Sequence, residues 1–118
     1  MANIVDVEVD RTFYGWTLVG ESELDTRLVL VKPAEVGRVH VVERIEAGYS
    51  DILMSGLLTV KFDEVLIGKK PIHGVGTLDY PGYGRRSPHV NEALIVVLTA
   101  GSEGVRGILT VVGYTTGI

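Results

Sequence analysis

Histidines are the first candidates for chemistry, because an imidazole can bind a metal ion or transfer a proton near neutral pH. His40, His73 and His89 lie far apart and form no His-x-His or His-x-x-x-His pair. A two-histidine metal site on a β-strand needs histidines one residue apart, and the segment around His40 supplies only one. We therefore expect no metal site, and we place His40 on the solvated, polar side of its strand.

Carboxylates could supply a calcium site or an acid–base pair. Asp6, Glu8 and Asp10 put three carboxylates on one face of a predicted strand, about 7 Å apart. Calcium would need further oxygens from loops, so we interpret this row as a solvated face or as one that meets basic residues of another subunit. The other carboxylates could be paired for glycoside hydrolysis, but sequence does not give their separation. They are Glu43, Glu46, Asp51, Asp63, Glu64 and Asp79.

Other catalytic signatures are missing from the sequence. The chain has no cysteine, which excludes a thiolate nucleophile, a disulfide and a cysteine zinc site. Gly74-Val75-Gly76 lacks the third glycine and the strand-to-helix setting of a dinucleotide site. Four serines lie in no Gly-x-Ser-x-Gly turn: Ser50, Ser55, Ser87 and Ser102. We expect no catalytic residues, no cofactor and no enzymatic activity.

Aromatic and arginine side chains in glycine-containing segments favour binding over catalysis. Aromatic rings on loops can stack on sugars or anchor a protein interface, and Arg and Tyr combine broad apolar area with a polar tip. Alternatively, these rings close the ends of the fold, and Trp16 is a candidate for the core or an interface. The predicted partner-contact residues are Tyr80, Tyr83, Arg85, Arg86, Tyr14 and Trp16.

The elements that must position these residues are β-strands, since the dominant hydrophobic period is two. Residues 5–10 and 58–63 alternate strictly between apolar and polar types. In the segment 38–46, the same period puts Val39, Val41 and Ile45 on one file. Each alternating segment predicts a strand with one buried and one wet face.

Three further segments, 28–31, 94–99 and 108–112, are apolar on both files. Such strands need a second layer or a subunit interface to cover them. Lys32-Pro33 ends the first, and a short turn-rich connection at 100–104 predicts that the other two form a hairpin. The Gly- and Pro-rich stretch 68–89 predicts a long irregular connection, with room for a short strand near 75–78.

Length and spacing predict one all-β domain. The chain has 118 residues, the usual size of a single domain. Short strands separated by turn signals predict an antiparallel β-sandwich, jelly-roll-like, with about eight strands. We expect residues 21–118 to form this sandwich and residues 1–20 to form a further strand or an arm.

Charge and hydropathy exclude several functions. Fifteen acidic and eleven basic residues give a net charge of −4, which argues against nucleic-acid binding. The longest apolar run, around 93–98, is far shorter than the ~20 residues that cross a bilayer, and the N-terminus lacks the pattern of a signal peptide. Mean hydropathy is +0.28 with only 22% charged residues, so we expect partner subunits to cover part of the surface.

Two segments carry a distinctive order of turns and strands. The first is LVKPAEVGRVHVV at 30–42, and the second is NEALIVVLTA at 91–100, continued by GVRGILTVVGY at 104–114. Together they give a polar-Glu-Ala-Leu start, an apolar strand, a short turn and a Gly-Val-x-Gly segment before the last strand. This order is similar to that of phage virion proteins. These are small jelly-roll modules found as capsid decoration proteins and in tail or fibre tips. The resemblance covers about residues 27–115.

The resemblance implies a non-enzymatic virion protein, assembled in the host cytoplasm, that forms a homotrimer and docks on the major capsid protein or another virion protein. As a decoration (cement) protein it would stabilise the assembled phage head, and no catalytic or cofactor residues carry over. The alternative is a receptor- or carbohydrate-binding tail-fibre tip with Tyr80, Tyr83 and Arg85 on its ligand face. A small lyase or isomerase on a cupin-like barrel is a third class, which lacks its metal signature. An arm beginning at Ile4 could add a strand to a neighbour's sheet.

Overall fold

The computed structural model describes residues 13–82, 84–101 and 104–117. These residues form nine β-strands and no helix. The strands are β1 (Phe13–Glu21), β2 (Leu28–Lys32), β3 (Arg38–Tyr49), β4 (Ser55–Phe62), β5 (Val65–His73), β6 (Val75–Asp79), β7 (Arg85–Arg86), β8 (Leu94–Leu98) and β9 (Gly107–Gly117). Residues 13–20 thus belong to a strand of the sandwich. Residues 1–12, with the predicted carboxylate row and arm, lie outside the described residues.

The strands form two antiparallel sheets packed as a sandwich. Sheet A has the order β1-β9-β3-β6, with the short β7 also paired to β3, and sheet B has the order β2-β8-β4-β5. The chain crosses repeatedly from one sheet to the other, and the last long strand pairs beside the first. This order is that of a jelly roll, so the predicted fold class is confirmed.

The core lies between the sheets and consists of alternate residues of each long strand. Leu58, Val60 and Phe62 of β4 are fully buried, which confirms the period-two pattern predicted for this segment. The strands β8, β3 and β9 complete the core with Leu94, Val96, Leu98, Val42, Ile45, Ala47, Tyr49, Leu109 and Val111.

A β-bulge at Glu43 reverses the faces of β3 in mid-strand. The register between β3 and β9 shifts around this residue, which has no partner in the ladder. Before the bulge, His40 lies on the inner file, while Val39 and Val41 lie on the outer one; after it, Ile45 takes an inner position. The prediction that these three apolar residues share a file is therefore wrong, because an extra residue breaks the strict period of two.

Two predicted connections also differ from the structure. The strands β8 and β9 do not form a hairpin, because β8 lies in sheet B and β9 lies in sheet A. The stretch 68–89, predicted to be irregular, contains most of β5 together with β6 and β7. Turn residues show that the chain reverses, but they do not show which sheet the next strand joins. The short strand predicted near 75–78 is confirmed as β6.

Candidate functional site

Tyr14 and Trp16 lie on the inner side of β1 and are stacked under a lysine. The Lys32 Nζ atom is 4.9 Å from the centroid of the Tyr14 ring and 5.8 Å from that of the Trp16 ring. Trp16 also packs against the core. Both rings are therefore partly covered by groups of their own chain.

The carboxylate of Glu35 connects β1 to the loop between β2 and β3. It accepts a hydrogen bond from the Tyr14 hydroxyl, and its oxygens lie 3.5 Å from Lys32 Nζ and 3.7 Å from the Arg38 guanidinium. Burial alone would raise the pKa of Glu35, but the Tyr14 hydrogen bond and the Lys32 charge outweigh it and lower this pKa below its usual value. Glu35 is thus held as an ion by three neighbours.

His40 is buried, with 1% of its surface exposed, so its prediction as a solvated residue is wrong. The bulge at Glu43 places it on the inner file. Its Nε2 atom lies 2.7 Å from the Pro33 carbonyl oxygen and must donate, because a carbonyl only accepts. Its Nδ1 atom can then accept from the Thr115 hydroxyl at 2.7 Å, which in turn accepts from Trp16 Nε1 at 2.8 Å. Every polar side-chain atom in this series of hydrogen bonds has a partner, so His40 has a structural role.

Tyr80 is half-buried and packs against the core rather than projecting from a loop. Its hydroxyl oxygen is buried and has no hydrogen-bond partner among the described residues. Burial raises the pKa of this phenol, an effect that the nearby Arg85 reduces. A Cβ atom at Gly68 would lie 2.3 Å from the hydroxyl oxygen, so the glycine makes room for the ring. This placement differs from the exposed contact predicted for Tyr80.

The remaining predicted contact residues lie in and beside β7. Arg85 and Arg86 are both exposed, and they pair with Val42 and Val41 of β3. Tyr83 lies outside the described residues. Of the five predicted contact residues that the structure describes, the two arginines are exposed, while the three aromatic rings are partly covered.

The outer face of sheet B carries neighbouring aliphatic side chains on β2 and β8. Val29 pairs with Val97, and Val31 pairs with Ile95, across the neighbouring strands β2 and β8. Val29 is 41% exposed and Val31 is 46% exposed. The same rows continue across β4 and β5 through Thr59, Lys61, Leu66 and Lys69. We call these eight residues the sheet B surface. It confirms that the segment 28–31 presents apolar residues to the outside as well as to the core.

The outer face of sheet A carries a second surface, in which apolar and acidic residues are mixed. Three apolar residues are exposed, and carboxylates lie beside them on β1, β3 and β6. A shallow groove of about 210 Å³ runs among them, where Gly48 lacks a side chain. We call the following residues the sheet A patch: Val19, Glu21, Glu46, Val75, Asp79 and Ile108.

The carboxylates of the sheet A patch are exposed and only partly neutralised. One guanidinium, that of Arg44, lies 2.9 Å from a Glu46 oxygen and 3.5 Å from an Asp79 oxygen. The Arg106 guanidinium lies 3.7 Å from Glu21. Because Glu46 and Asp79 share a single arginine, this part of the patch keeps a net negative charge.

Sequence reasoning did not find that one sheet lacks carboxylates in its strands, while the other carries both signs, with four carboxylates and four arginines. Along the chain the two signs alternate evenly, and only the strand order reveals which residues share a face. The strands of sheet B contain no Asp or Glu. The signal was present in the predicted strands 28–31 and 58–63, but it required the knowledge that both belong to one sheet.

No reaction centre stands out among the described residues. They contain no group of three His, Asp or Glu side chains that could hold a metal ion. Asp63 and Glu92 line an open cleft of about 550 Å³, but each accepts a backbone N–H, from Ala93 at 2.9 Å and from His89 at 2.8 Å. These carboxylates therefore stabilise loops. The described part of the chain also has no helix that could cross a membrane.

Comparison with family models and with curated proteins identifies no relative. No protein-family model matches the chain. A search of curated proteins finds none with significant similarity in sequence.

The candidate functional site consists of the sheet B surface and the sheet A patch, on opposite outer faces of the jelly roll.

Proposed function

We propose that this protein is a non-enzymatic structural protein of a virion, which decorates the assembled capsid of a phage as a homotrimer. The observation that carries the proposal is the sheet B surface, an aliphatic face on the outside of a jelly roll. The order of turns and strands that resembles phage decoration proteins points the same way.

Exposure of the sheet B surface to water has a free-energy cost. Burial of apolar area contributes about 25 cal/mol for each Å² removed from water. Val29, Val31 and Leu66 are each between 41% and 51% exposed. Contiguous apolar surface of this kind on a small protein is typical of a binding interface. Contact with other protein subunits is the cover that the proposal assigns to it.

The proposed mechanism is mass action. A protein that binds the assembled lattice, and not its dissociated subunits, stabilises the lattice in proportion to the binding free energy. A trimer contacts several neighbouring capsid subunits at once, and each contact after the first forms at a high effective concentration. Decoration therefore needs no catalytic residue and no cofactor.

The placement of the aromatic rings favours decoration over a carbohydrate-binding tip. A ring that stacks on a sugar needs a free face, but Tyr14 and Trp16 lie under Lys32 and Tyr80 packs against the core. Arg85 and Arg86 are exposed, but their strand, β7, contains no aromatic residue. The tip alternative is one of the outcomes of the following test.

The test uses purified wild-type protein and capsids of the phage that encodes it, prepared from a strain in which its gene is deleted. We expect saturable co-sedimentation with these capsids and a higher temperature of capsid disruption after binding. Capsids that already contain the protein are the matched control and should bind no more of it. Absence of binding to the deleted capsids, or binding of the protein to glycans or to host cells in isolation, would overturn the proposal.

A further inference from the structure

β1 is an edge strand of sheet A, and its outer edge carries free backbone groups. It pairs with β9 in nine consecutive residue pairs without a bulge. Ser22 continues this ladder, and its N–H donates to the Gly107 carbonyl at 2.9 Å. Because bonded and non-bonded pairs alternate in an antiparallel ladder, the odd-numbered residues of β1 point their N–H and C=O groups away from β9. No backbone group among the described residues bonds to them. These residues are Phe13, Gly15, Thr17, Val19 and Glu21.

The other three edge strands carry features that oppose pairing with a further strand. β5 contains Lys69, Lys70 and Pro71, and a proline lacks the N–H that a ladder needs. The Thr77 carbonyl of β6 accepts a hydrogen bond from Lys70 Nζ at 2.5 Å. β2 has five residues, ends in a lysine and is followed by Pro33. β1 has nine residues with neither Lys nor Pro, so among the described edges it is the one open to another strand.

The segment 4–10 has the sequence pattern of a strand that fits this edge. In IVDVEVD, three valines alternate with three carboxylates. As a strand, seven residues span about 23 Å, which is shorter than the roughly 30 Å of a nine-residue strand such as β1. The valine file can continue the inner side of β1, where Trp16 and Leu18 pack against the core, while the carboxylates stay in water.

The connection to β1 is too short for this segment to fold back onto β1 of its own copy. Only Arg11 and Thr12 separate Asp10 from Phe13. A two-residue hairpin needs positive φ in its turn, which Gly, Asn or Asp adopts and which a β-branched Thr opposes. A parallel return would need about a dozen or more connecting residues. The β1 edge of a second copy is free of this restriction.

We propose that residues 4–10 of one copy add a strand to the free edge of β1 in a second copy, and that three such exchanges close the trimer. This inference rests on the homotrimer of the proposed function and specifies how its copies are joined. The donated segment enters β1 at Phe13 and the accepting edge is β1 itself, so donor and acceptor lie on the same side of the sandwich. Three copies can turn this side toward a common axis, where each gives one segment and receives one.

The experiment blocks the donated segment and the accepting edge separately. Val7→Pro/Glu8→Pro removes two consecutive N–H groups, one of which faces the acceptor in either register. Thr17→Pro removes an N–H that points away from β9, so it leaves the bonds between β1 and β9 in place. We expect each variant to raise the concentration at half-dissociation of the trimer by about tenfold or more. Size-exclusion chromatography with light scattering measures the mass, and circular dichroism checks that each variant is folded.

Matched controls change the same positions but keep their N–H groups. Val7→Ile/Glu8→Gln and Thr17→Val retain β-branched residues at positions 7 and 17 and should leave the trimer unchanged. A Val7→Pro/Glu8→Pro variant that remains a trimer would overturn the inference, as would a folded Thr17→Pro variant that does so. Val7→Pro/Glu8→Pro decides the outcome alone if Thr17→Pro does not fold. Dissociation of either control would also overturn the inference, because side chains rather than backbone bonds would then join the copies.

The outcome separates this inference from the proposed function. If wild-type protein binds capsids but both proline variants remain trimers, decoration stands and the strand exchange is wrong. If both proline variants dissociate but wild-type protein binds no capsid, the strand exchange stands and decoration is wrong.

Discussion

At the scale of single residues, one hydroxyl group organises the start of β3. The Thr115 hydroxyl accepts a hydrogen bond from Trp16 and donates to His40, which in turn donates to the Pro33 carbonyl. Three strands and the β2–β3 loop meet at these bonds. Because His40 and Thr115 are buried, water cannot easily replace a lost partner.

We therefore predict that Thr115→Val lowers the free energy of unfolding by about 1–3 kcal/mol, since it leaves two buried polar groups without their partner. Thr116→Val, on the outer file of the same strand, is the matched control and should change this free energy by about 0.5 kcal/mol or less. Urea denaturation measures both. Equal effects of the two variants would contradict the buried network.

Glu35 gives a prediction for the dependence of stability on pH. Its pKa is lower in the folded protein than the value of 4.5 for a free side chain. The unfolded state therefore binds the proton more tightly, and the stabilisation is complete above the unfolded pKa and is lost as the pH falls through the folded one.

We predict that wild-type protein has a higher melting temperature than Glu35→Gln at about pH 7, and that the difference shrinks as the pH falls from about 5 to about 3. Thermal melts across this range test the prediction. Glu64→Gln, at an exposed turn, is the control for general effects of removing a carboxylate. A difference for Glu35→Gln that is constant over the whole range would show that its charge does not stabilise the fold.

At the scale of elements, the connection from β5 to β6 depends on a single glycine. Gly74 has a φ of +69° and carries the chain from sheet B to sheet A in one residue. Its N–H donates to the Met54 carbonyl at 2.7 Å, and its carbonyl accepts from Tyr49 N–H at 2.9 Å. A Cβ atom here would lie 2.4 Å from the Ile52 carbonyl oxygen, so the backbone packing also requires glycine.

Gly74→Ala should therefore be more destabilising than an alanine at another glycine with the same backbone conformation. Gly37 has a φ of +72°, and a Cβ there would meet nothing within 4 Å. We expect Gly37→Ala to cost about 1–2 kcal/mol from the backbone conformation alone, and Gly74→Ala to cost at least about 1 kcal/mol more. Chemical denaturation of the two variants gives the comparison, and equal costs would contradict the close approach to Ile52.

The strands also show which parts of the structure could be predicted from the sequence. The alternation of apolar and polar residues predicted β4, and the apolar residues on both files predicted β2. Both predictions were possible because the residue pattern is regular and turns flank these strands. The bulge at Glu43 could not be predicted, since an extra residue shows only as a missing ladder partner. The supposed hairpin of β8 and β9 failed for a related reason: pairing is decided by the packing of distant strands.

The candidate site was predictable to a smaller degree. The apolar outer files of β2 and β8 were visible in the sequence, but Tyr80 was predicted as exposed and packs inward. A Tyr in a Gly- and Pro-rich segment gives no sign of the space that Gly68, on another sheet, leaves for its ring. Likewise, the absence of carboxylates from the strands of sheet B follows from strand order rather than from local pattern.

At the scale of the whole molecule, the jelly roll places on different faces the residue types that alternate along the sequence. Its core takes the inner files of both sheets, and its outer faces present aliphatic residues with lysines on one side and with carboxylates and Arg44 on the other. A monomer with both faces in water would expose apolar surface on two sides. The proposed homotrimer would remove part of this surface from water.

The mass of the wild-type protein in solution tests this central claim most directly. Size-exclusion chromatography with light scattering over a range of concentrations should give three times the chain mass of 12.8 kDa, with dissociation only on dilution. A mass of 12.8 kDa at every concentration, for a protein that is folded by circular dichroism, would contradict the account.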